Sequence, residues 1–462
     1  MTTLTKKWAS VLDFEGAPKI ADAHRRSTVA VLLENQITAM KEEMRQGSYQ
    51  TMLVEDHPIS ANHSGLGDAI HGSYADSPKD GHSFMAGYDP VLINLVRRAM
   101  PQLIAFDVCG VQPMTAPTGL IFAMKSKYTS QGQALPEGEA LYNEANTAHS
   151  GKGTHSVSNW AETAQVGGAM TDFQVGTGMT TLEGERLGHH DAEGASAWGE
   201  MAFSIERTSV VAHTRALKAE YTMELAQDLK AVHGLDAEAE LSNILASEIL
   251  AEINREIIRT IYITAEWGAQ TGTVTKGVFD LDMDADGRWS AEKYKGLMYR
   301  IEREANAIAQ KTRRGRGNFI ICSSDVASAL QMAGMLDYSP ALQNKLNVDE
   351  SANTFVGILN GQYKVFVDPY QSNGSADQFF VVGYKGTSAY DAGLFYCPYI
   401  PLQLVRAQDP HTFQPKIGFK TRYGMAFNPQ VQIDAGLGTG EVMPHQLAGK
   451  NYFYRKVIVK NL

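Results

Sequence analysis

The stretch Asp236–Trp267, DAEAELSNILASEILAEINREIIRTIYITAEW, decides the fold of this chain. Its apolar residues recur every three or four positions, which predicts a helix with one face buried in a core. Asp236 suits the N-cap of this helix, and Gly268 is placed to end it. At about 1.5 Å per residue the helix would be roughly 45 Å long, several times the average. We call it the spine helix; its predicted core-facing side chains are Leu241, Ile244, Leu245, Ile249, Leu250, Ile253, Ile257, Ile258 and Ile261.

A shorter helix, Tyr221–His233, is predicted to lead into the spine helix and to end at Gly234. Burying the aliphatic side chains of the spine helix would contribute roughly 15–25 kcal/mol as an upper bound. The two helices therefore form the expected centre of the molecule.

Length and composition limit the possible functions. A chain of 462 residues with 44% apolar content can bury more than one core, so two or three domains are expected. The net charge of −10 argues against nucleic-acid binding as the main task, because such binding usually needs a basic face. No apolar run is long enough to cross a bilayer, and Met1–Ser10 lacks the core of a signal peptide.

The three cysteines, Cys109, Cys322 and Cys397, are far apart in the chain. They form no disulfide framework and no Cys-x-x-Cys motif, which predicts a protein made in a reducing cytoplasm.

Residues 1–55 differ from the rest in charge. They hold seven Lys or Arg and seven Asp or Glu, so the whole net charge falls on 56–462. An apolar stripe predicts an amphipathic helix over Asp22–Arg45, ended by Gly47. This helix either packs on its own domain or detaches to dock on a partner. The Gly-, Ser- and His-rich stretch Asp56–His82 is typical of an exposed, cleavable tether and favours the detachable helix.

A glycine-rich stretch interrupts a predicted hairpin. Thr129–Glu200 carries 12 glycines in 72 residues, whereas Leu120–Tyr128 and Ala202–Thr214 on either side read as strands. The pattern predicts a small β-rich domain inserted between two long strands. After the spine helix, alternating helices and strands predict an α/β unit, namely helix Ser290–Lys311, strand Asn318–Cys322, helix Asp325–Met335, and strands Tyr363–Val367 and Phe379–Tyr384.

Metal-binding candidates are weak. Asp282-x-Asp284-x-Asp286-Gly287 opens like a calcium loop, but the twelfth position holds Lys293 instead of glutamate, with Glu292 one place early. An acidic turn is the favoured interpretation. The histidines have no ligand-like spacing and are expected to be solvated loop residues, so no metal and no cofactor are predicted; they are His57, His63, His71, His82, His149, His155, His189 and His190.

Catalytic patterns are absent from the sequence. There is no Walker A loop, Gly-x-Ser-x-Gly or His-Glu-x-x-His. Gly436-x-Gly438-x-Gly440 follows no strand–helix frame, which indicates a flexible turn. Arg313-Arg314-Gly315-Arg316 has the charge to bind phosphate, but such runs are more often solvated or paired with acidic neighbours. The sequence does not predict an enzyme, and no catalytic residue is assigned.

Several stretches resemble one viral family. Ala392–Pro429 contains AGLFYCPYIPLQLVRAQDP and FQPKIGFKTRYGMAFNP, and the chain continues to YFYRKVIVKNL at 452–462. Together with Leu103–Tyr128, Ala216–Ile258 and Gly315–Ile321, they resemble the major capsid protein of T-even-type tailed bacteriophages, which are myoviruses. The resemblance covers nearly all of the chain outside Thr129–Glu200.

The resemblance implies an α+β protein with the Hong Kong 97-type capsid fold. Its parts are an N-terminal arm, an extended hairpin loop, a peripheral domain with the spine helix and an axial domain. The implied boundaries are a propeptide at 1–55, the arm at 56–88, the peripheral domain at 89–118 and 205–268, the extended loop with its insertion at 119–204, the axial domain at 269–391, and strands returning to the peripheral domain at 392–462.

The resemblance also implies proteolytic maturation. A prohead protease of the family cuts after a glutamate in a Leu/Ile-x-Glu context. Leu53-Val54-Glu55, followed by Asp56, fits this pattern at the junction where the composition changes. Leu32-Leu33-Glu34 fits it too but lies inside a predicted helix, so the cut is expected after Glu55.

The implied partners are those of a phage head, and the implied location is the virion after synthesis in the host cytoplasm. Copies of the chain would form hexamers in an icosahedral shell. The other implied partners are a vertex protein, an internal scaffolding core, the prohead protease, outer decoration proteins, a folding chaperone, and packaged DNA held without sequence-specific binding. Two alternatives stay open: a pentameric vertex protein of the same fold, and a metal-binding or hydrolytic cytoplasmic protein.

Overall fold

The structure is a computed structural model, and it describes most of the chain outside the N-terminal connection and the insertion. The described residues are 2–13, 20, 22–45, 103–128, 140, 145–153, 175–188, 198–285, 289–334, 336–338, 355–368, 370, 378–388, 390–409, 411–437 and 440–462. The predicted tether, Asp56–His82, lies outside these residues.

Helices and strands are both abundant, which confirms the predicted α+β class. In chain order, the helices of the described residues are α1 (Thr2–Lys7), α2 (Ala9–Leu12), α3 (Ala23–Arg45), α4 (Ala105–Val108), α5 (Thr181–Glu185), α6 (Met223–His233), α7 (Ala237–Thr264), α8 (Ser290–Thr312), α9 (Ser324–Met332) and α10 (Pro429–Asp434), and a 3₁₀ turn spans Pro444–Leu447.

The strands form two sheets and a separate two-stranded ribbon. In chain order, they are β1 (Gly110–Val111), β2 (Thr118–Tyr128), β3 (Met201–Val211), β4 (His213–Glu220), β5 (Ala265–Trp267), β6 (Val278–Asp280), β7 (Phe319–Cys322), β8 (Leu336–Tyr338), β9 (Phe355–Leu359), β10 (Tyr363–Val367), β11 (Gln378–Gly383), β12 (Leu394–Gln408), β13 (Pro415–Phe427) and β14 (Asn451–Lys460).

The larger sheet has the order β5-β14-β11-β7-β10-β9-β8, with β6 also paired to β14. Strands β7 and β10 run parallel at its centre, and all four side chains of β7 are buried. A short, continuous apolar run is what a strand covered on both faces requires. Helices α8 and α9 pack on this sheet.

The smaller sheet has the order β1-β12-β13-β4. Its long β12–β13 hairpin contains the family-like sequence AGLFYCPYIPLQLVRAQDP. Two irregularities interrupt the register of this hairpin, one of them between Pro398 and Ile400, where Tyr399 has no partner in the ladder. Such a bulge bends a strand and leaves backbone groups free for other contacts.

The ribbon is formed by β2 and β3 in an antiparallel register that runs from Thr118 opposite Val211 to Tyr128 opposite Met201. The predicted hairpin strands are therefore confirmed, with small shifts at their ends. The second strand stops at Val211, and His213 begins β4 in the smaller sheet. The ribbon thus projects from the end of that sheet.

The spine helix is confirmed as α7, with one correction at its C-terminal end. Asp236 caps it, since its carboxylate accepts a hydrogen bond from the backbone N–H of Glu238 at 3.1 Å. The predicted helix extends to Trp267, but the observed helix ends at Thr264. The prediction was wrong here because Ala265–Trp267 pairs with β14 as β5, and helical periodicity alone cannot reveal such a distant partner.

The core-facing side of the spine helix is buried from Ala246 onward, whereas most of its first two turns are not. Residues Ile249, Leu250, Ile253, Ile257, Ile258 and Ile261 all lie in the main core. In contrast, Ile244 of the same predicted stripe is 59% exposed, so the prediction that it faces this chain's core was wrong. The helix is longer than the core that covers it within one chain.

The N-terminal helix α3 packs on its own chain, against β12. Its residues Val29 and Leu33 are buried in the main core, whereas the sequence favoured a helix that detaches to a partner. The other interpretation, an arm packed on its own domain, describes the structure. The composition of the tether indicated that the helix could detach from the rest of the chain, but it gave no information about the surface on which the helix packs.

The remaining elements agree closely with expectation. Helix α8 and strand β10 occupy the predicted ranges to within one residue, and the additional elements α4 and β1 lie in the segment before the ribbon. In the described part of the insertion, an antiparallel bridge joins Lys152 to Thr177, and α5 follows; the small β-rich domain stays a prediction.

The domain boundaries also stay predictions. Strand β14 pairs with β11 in the larger sheet, whereas β12 and β13 form the smaller one. The segment 392–462 is thus divided between the sheets, although the expected return was to a single domain.

Candidate interaction surface

One face of the β2–β3 ribbon is mostly apolar and exposed, although Ser126, Arg207 and Ser209 also lie on it. Side chains alternate between the two faces of a strand, so residues two apart in β2 and their partners in β3 share a face. The six large apolar residues on this face are each 50–65% exposed. We call this surface the ribbon face; it consists of Leu120, Phe122, Met124, Met201, Phe203 and Ile205.

The opposite face anchors the ribbon at its base. Ile121 and Val210 are buried in a small core with Phe395 of β12. Thr208 donates a hydrogen bond from its hydroxyl to the Gln432 amide oxygen at 3.0 Å, and both side chains are buried. The base is therefore fixed to the smaller sheet, while the ribbon face has no cover in the described residues of this chain.

A second group of exposed apolar residues lies on α6 and the start of the spine helix. Apart from Ala237, the buried residues of α7 begin only at Ala246. We call this group the helix face; it consists of Met223, Leu225, Val232, Leu235 and Ile244. Two such groups of exposed large apolar side chains on one chain are unusual for a protein that works as a monomer.

Polar contacts fix the spine helix to the smaller sheet. Arg215 of β4 pairs with Glu252 at 2.8 Å and with Glu256 at 2.5 Å. Tyr423 of β13 donates a hydrogen bond to Glu256 and accepts one from Arg215 Nε at 2.5 Å. Burial, together with the negative charge of Glu256, raises the pKa of Tyr423, so the phenol stays a donor.

A buried ion pair fixes the spine helix to the larger sheet. The Asp368 side chain, directly after β10, is fully buried and pairs with Arg255 at 2.6 Å. Tyr262 donates to the same carboxylate at 3.0 Å, as does the backbone N–H of Tyr370. Burial raises the pKa of Tyr262 well above its usual value, and Asp368 adds to that effect. The spine helix thus contacts both sheets through charged residues, and these residues lie outside its apolar stripe.

The predicted cleavage residues Leu53, Val54, Glu55 and Asp56 lie outside the described residues. The second match, Leu32-Leu33-Glu34, is described and lies within α3. Leu32 and Leu33 are buried, and the Glu34 carboxylate accepts hydrogen bonds from Lys7 at 2.8 Å and from the Trp8 indole at 3.1 Å.

Asp284 and Asp282 of the aspartate turn form hydrogen bonds and an ion pair within this chain. Asp284 accepts hydrogen bonds from the backbone N–H groups of Val274 at 2.9 Å and Asp280 at 3.0 Å. Asp282 pairs with Lys293, the residue that replaces the glutamate of a calcium loop. These contacts describe an acidic turn. Among the residues that the structure covers, no group of three or more His, Cys, Asp or Glu side chains could hold a metal.

Most of the basic run pairs with acidic residues of its own chain. Arg316 pairs with Glu302 and stacks over Tyr363 at 5.5 Å, and Lys311 pairs with Glu266. Of the histidines, His149 lies against the Tyr128 ring and contacts the Glu200 carbonyl at 2.8 Å. The glycines that begin at Gly436 follow helix α10, not a strand.

The three cysteines are buried and unpaired. Burial raises the pKa of each thiol to about 12. A thiol in that state is a small apolar side chain and not a nucleophile.

The ribbon face was not recognised as exposed in the sequence, although its signal is present. The alternation of Leu120, Phe122 and Met124 predicts a strand with one apolar face, but not whether that face meets this chain or another. The pairs Arg255–Asp368 and Arg215–Glu256 had no detectable signal, because their members lie far apart in the sequence. Within the helices that the structure describes, none combines the length and apolarity needed to span a membrane.

Comparison with known proteins gives a consistent result. A family model described as "Major capsid protein Gp23" matches residues 85–459. The major capsid protein of Vibrio phage KVP40 is 37% identical, covering 99% of this chain and 100% of its own length. That of Enterobacteria phage T4 is 34% identical, covering 99% and 98%.

Two further matches are more distant. The capsid vertex protein of Enterobacteria phage T4 is 29% identical over 49% of this chain and 53% of its own length. A solved structure, "The capsid of Myoviridae Phage XM1", has a TM-score of 0.36 and 8% identity, covering 77% of this chain and 92% of that one.

Proposed function

The chain belongs to the family of major capsid proteins described as Gp23, and we propose that its copies join as hexamers into the icosahedral head shell that encloses a phage DNA genome. A member of this family is a structural component of the virion. Synthesis in the host cytoplasm is part of the proposal, as is the absence of catalysis by the chain itself.

The ribbon face carries this proposal. Its six large apolar side chains would be unstable against water in an isolated subunit, so a neighbouring copy is the expected cover. We propose that the ribbon face of one copy packs on the helix face of the next. Different surfaces then meet in each contact, and such head-to-tail contacts close into a ring when the rotation between copies permits it.

Proteolytic maturation is the second part of the proposal. A prohead protease would cut after Glu55, in the sequence Leu53-Val54-Glu55-Asp56. The masking of the alternative Glu34 within α3 supports Glu55 as the site. Removal of the first 55 residues would then bias the subunits toward a mature arrangement.

The remaining partners follow from the proposed place in a phage head. They are a vertex protein, an internal scaffolding core, outer decoration proteins, a folding chaperone and packaged DNA. The net charge of −10 suits a shell that encloses DNA without gripping it.

The alternatives have less support. The vertex protein match covers only about half of each chain, whereas the major capsid match to the same phage covers nearly all of both. The metal-binding alternative has less support because, among the described residues of the aspartate turn, Asp284 accepts hydrogen bonds from two backbone N–H groups and Asp282 pairs with Lys293.

Negative-stain microscopy of the expressed chain, with and without a core protein and protease, tests the proposal. We expect rings of six and closed shells. Counting copies per particle separates the two capsid roles, because a major protein fills the faces of a closed shell and a vertex protein occupies only its corners. A chain that stays monomeric in every condition would refute both roles.

A further inference from the structure

The N-terminal helix α3 fills a groove on the body of its own chain. Val29, Ala30, Leu32 and Leu33 are all buried and belong to the same continuous core as residues 103–108. Their burial depends on the body, because α3 is an isolated helix preceded only by the short α1 and α2. The contact is therefore built like part of a domain interior.

Asn35 forms a specific polar contact at the centre of this interface. Its side-chain amide donates hydrogen bonds to the carbonyl oxygens of Met114 at 2.7 Å and Tyr399 at 2.9 Å. Tyr399 is the residue that the β12–β13 bulge leaves without a ladder partner. Asn35 of α3 thus donates a hydrogen bond to the backbone carbonyl of Tyr399, where the strand ladder has no partner residue.

Arg25 forms a second contact, nearer the start of α3. Its guanidinium lies 2.7 Å from the Asp107 carboxylate and stacks over the Phe106 ring at 5.4 Å. Lys364 also reaches Asp107, at 3.2 Å, and completes the charges around it. Asn35 and Arg25 are about ten residues apart, so the helix is held along about 15 Å of its length.

The short helices α1 and α2 close over the outer side of α3. Trp8 and Leu12 are buried, Lys7 and Trp8 contact Glu34, and Arg26 pairs with Asp13 at 2.6 Å. The described residues of 2–13 and 22–45 thus form one unit on the body.

We infer that this unit is a ligand of its own subunit, which stays bound after the chain is cut behind it and leaves only in a separate dissociation step. The inference rests on the proposed cut after Glu55. Hydrolysis there adds one water across the Glu55–Asp56 peptide bond, giving a carboxylate on Glu55 and an amino group on Asp56. It breaks none of the contacts that the described residues of α3 make with 103–128 and 355–409. Loss of the peptide, not bond cleavage, is then the event that opens the groove.

The same docking controls access to Glu34. A protease needs an extended backbone around the bond it cuts, but Leu32 and Leu33 are helical and buried. The Leu32-Leu33-Glu34 sequence is therefore resistant while the unit is docked and becomes cleavable only after release.

The test uses the full chain with residues 53–58 replaced by the recognition sequence of a site-specific protease. After the cut, we expect the N-terminal fragment to co-elute with the body in size-exclusion chromatography at micromolar concentration. We also expect the amides of 23–45 to keep their protection from hydrogen exchange. Immediate separation of the fragment, with loss of that protection, would overturn the inference.

Matched variants identify the contact that retains the fragment. Leu33→Asp places a charge in the groove and should speed release about tenfold or more. Thr38→Asp adds the same charge at an exposed position of the same helix and should leave release unchanged. If Leu33→Asp does not fold, Asn35→Ala provides the milder change, with faster release still expected. Equal release rates for all of these proteins would contradict the role of the groove.

A Glu-specific endopeptidase tests the masking of Glu34. Cleavage after Glu34 should follow release of the fragment and not precede it, and early cleavage there would refute the masking. These results are independent of shell formation. A retained fragment in a chain that never forms shells would refute only the proposed function, and early separation in a chain that does form shells would refute only this inference.

Discussion

Arg255 Nη1 lies 2.7 Å from one carboxylate oxygen of Asp368 and 2.6 Å from the other, which joins the spine helix to the end of β10. The two residues are 113 positions apart, and the Asp368 side chain is fully buried. The ring of Tyr370 lies 5.4 Å from the guanidinium. This ion pair therefore fixes the spine helix to the larger sheet.

Replacing Asp368 with alanine should destabilise the folded subunit by about 3 kcal/mol, because it leaves the Arg255 guanidinium and the Tyr262 hydroxyl without their shared acceptor. This loss of stability is at the lower end of the range for buried ion pairs, because the Arg255 side chain is partly exposed to solvent. The shift in the midpoint of chemical unfolding measures it. Asp282→Ala, at an exposed ion pair, is the control and should cost well under about 1 kcal/mol.

Replacing Phe122 with aspartate should abolish shell assembly and leave the subunit folded. Phe122 is half-exposed on the ribbon face, so a charge there costs little in the monomer but is buried in the proposed contact. Microscopy and circular dichroism measure the two outcomes. Ala123→Asp is the control, because it puts the same charge on the opposite face of the ribbon and should leave shell assembly intact. Normal shells from Phe122→Asp would show that the ribbon face is not an assembly surface.

Replacing Glu55 with alanine should yield assembled but unprocessed shells, because the protease would lose the glutamate that the family motif requires. Mass spectrometry of the shell subunits gives the length of the chain. Mature subunits of normal length in this variant would place the cut elsewhere. Glu34→Ala is the matched control and should be processed normally.

The β12–β13 turn should lose stability in acid. Asp409 accepts hydrogen bonds from Lys416 at 2.6 Å and from the His411 N–H at 2.9 Å, and these bonds lower its pKa to about 2. Because the folded pKa lies below the ordinary value of 3.8, this contribution is present at neutral pH. It is lost as the pH falls from about 4 toward 2.

Hydrogen exchange at the amides of the turn, His411 and Phe413, measures this loss. Asp409→Asn removes the titrating group, so its exchange should show no added step in that pH range. An identical step in the variant would assign the acid sensitivity to another group.

The three cysteines should resist thiol reagents in the native protein at pH 8. Burial raises the pKa of each to about 12 and also blocks access, so almost no thiolate is present. Ellman's reagent should detect all three only after denaturation. Rapid modification of Cys109, Cys322 or Cys397 in the folded chain would mean that the surrounding core opens.

Local sequence patterns predicted the elements well because each pattern depends on nearby residues. The spine helix follows from its apolar period, and its start follows from the Asp236 cap. Its end was wrong because β5 is defined by β14, almost two hundred residues later. The exposure of Ile244 was missed for a similar reason, since periodicity gives the apolar side of a helix but not the length of the core beside it.

For the candidate surfaces too, local sequence patterns could not show what covers an apolar face. The strands of the ribbon were predicted on either side of a glycine-rich stretch, but only the fold shows that their apolar face is not covered by this chain. The position of α3 was open in the sequence, because an amphipathic stripe fits its own domain as well as a partner. Family resemblance supplied the assembly role, which no catalytic or metal motif could have indicated.

The pairing of β14 has a consequence for biosynthesis. This strand adds to β11 on one side and to β5 and β6 on the other, all of which leave the ribosome before it does. Until residues 451–460 emerge, the larger sheet has an open edge at β11 and two short strands without a partner. The nascent chain therefore carries unsatisfied edges that invite mispairing with its neighbours on a polysome. Closure of that sheet has to wait until β14 emerges, which makes the interval before it the hazardous stage in the folding of this subunit.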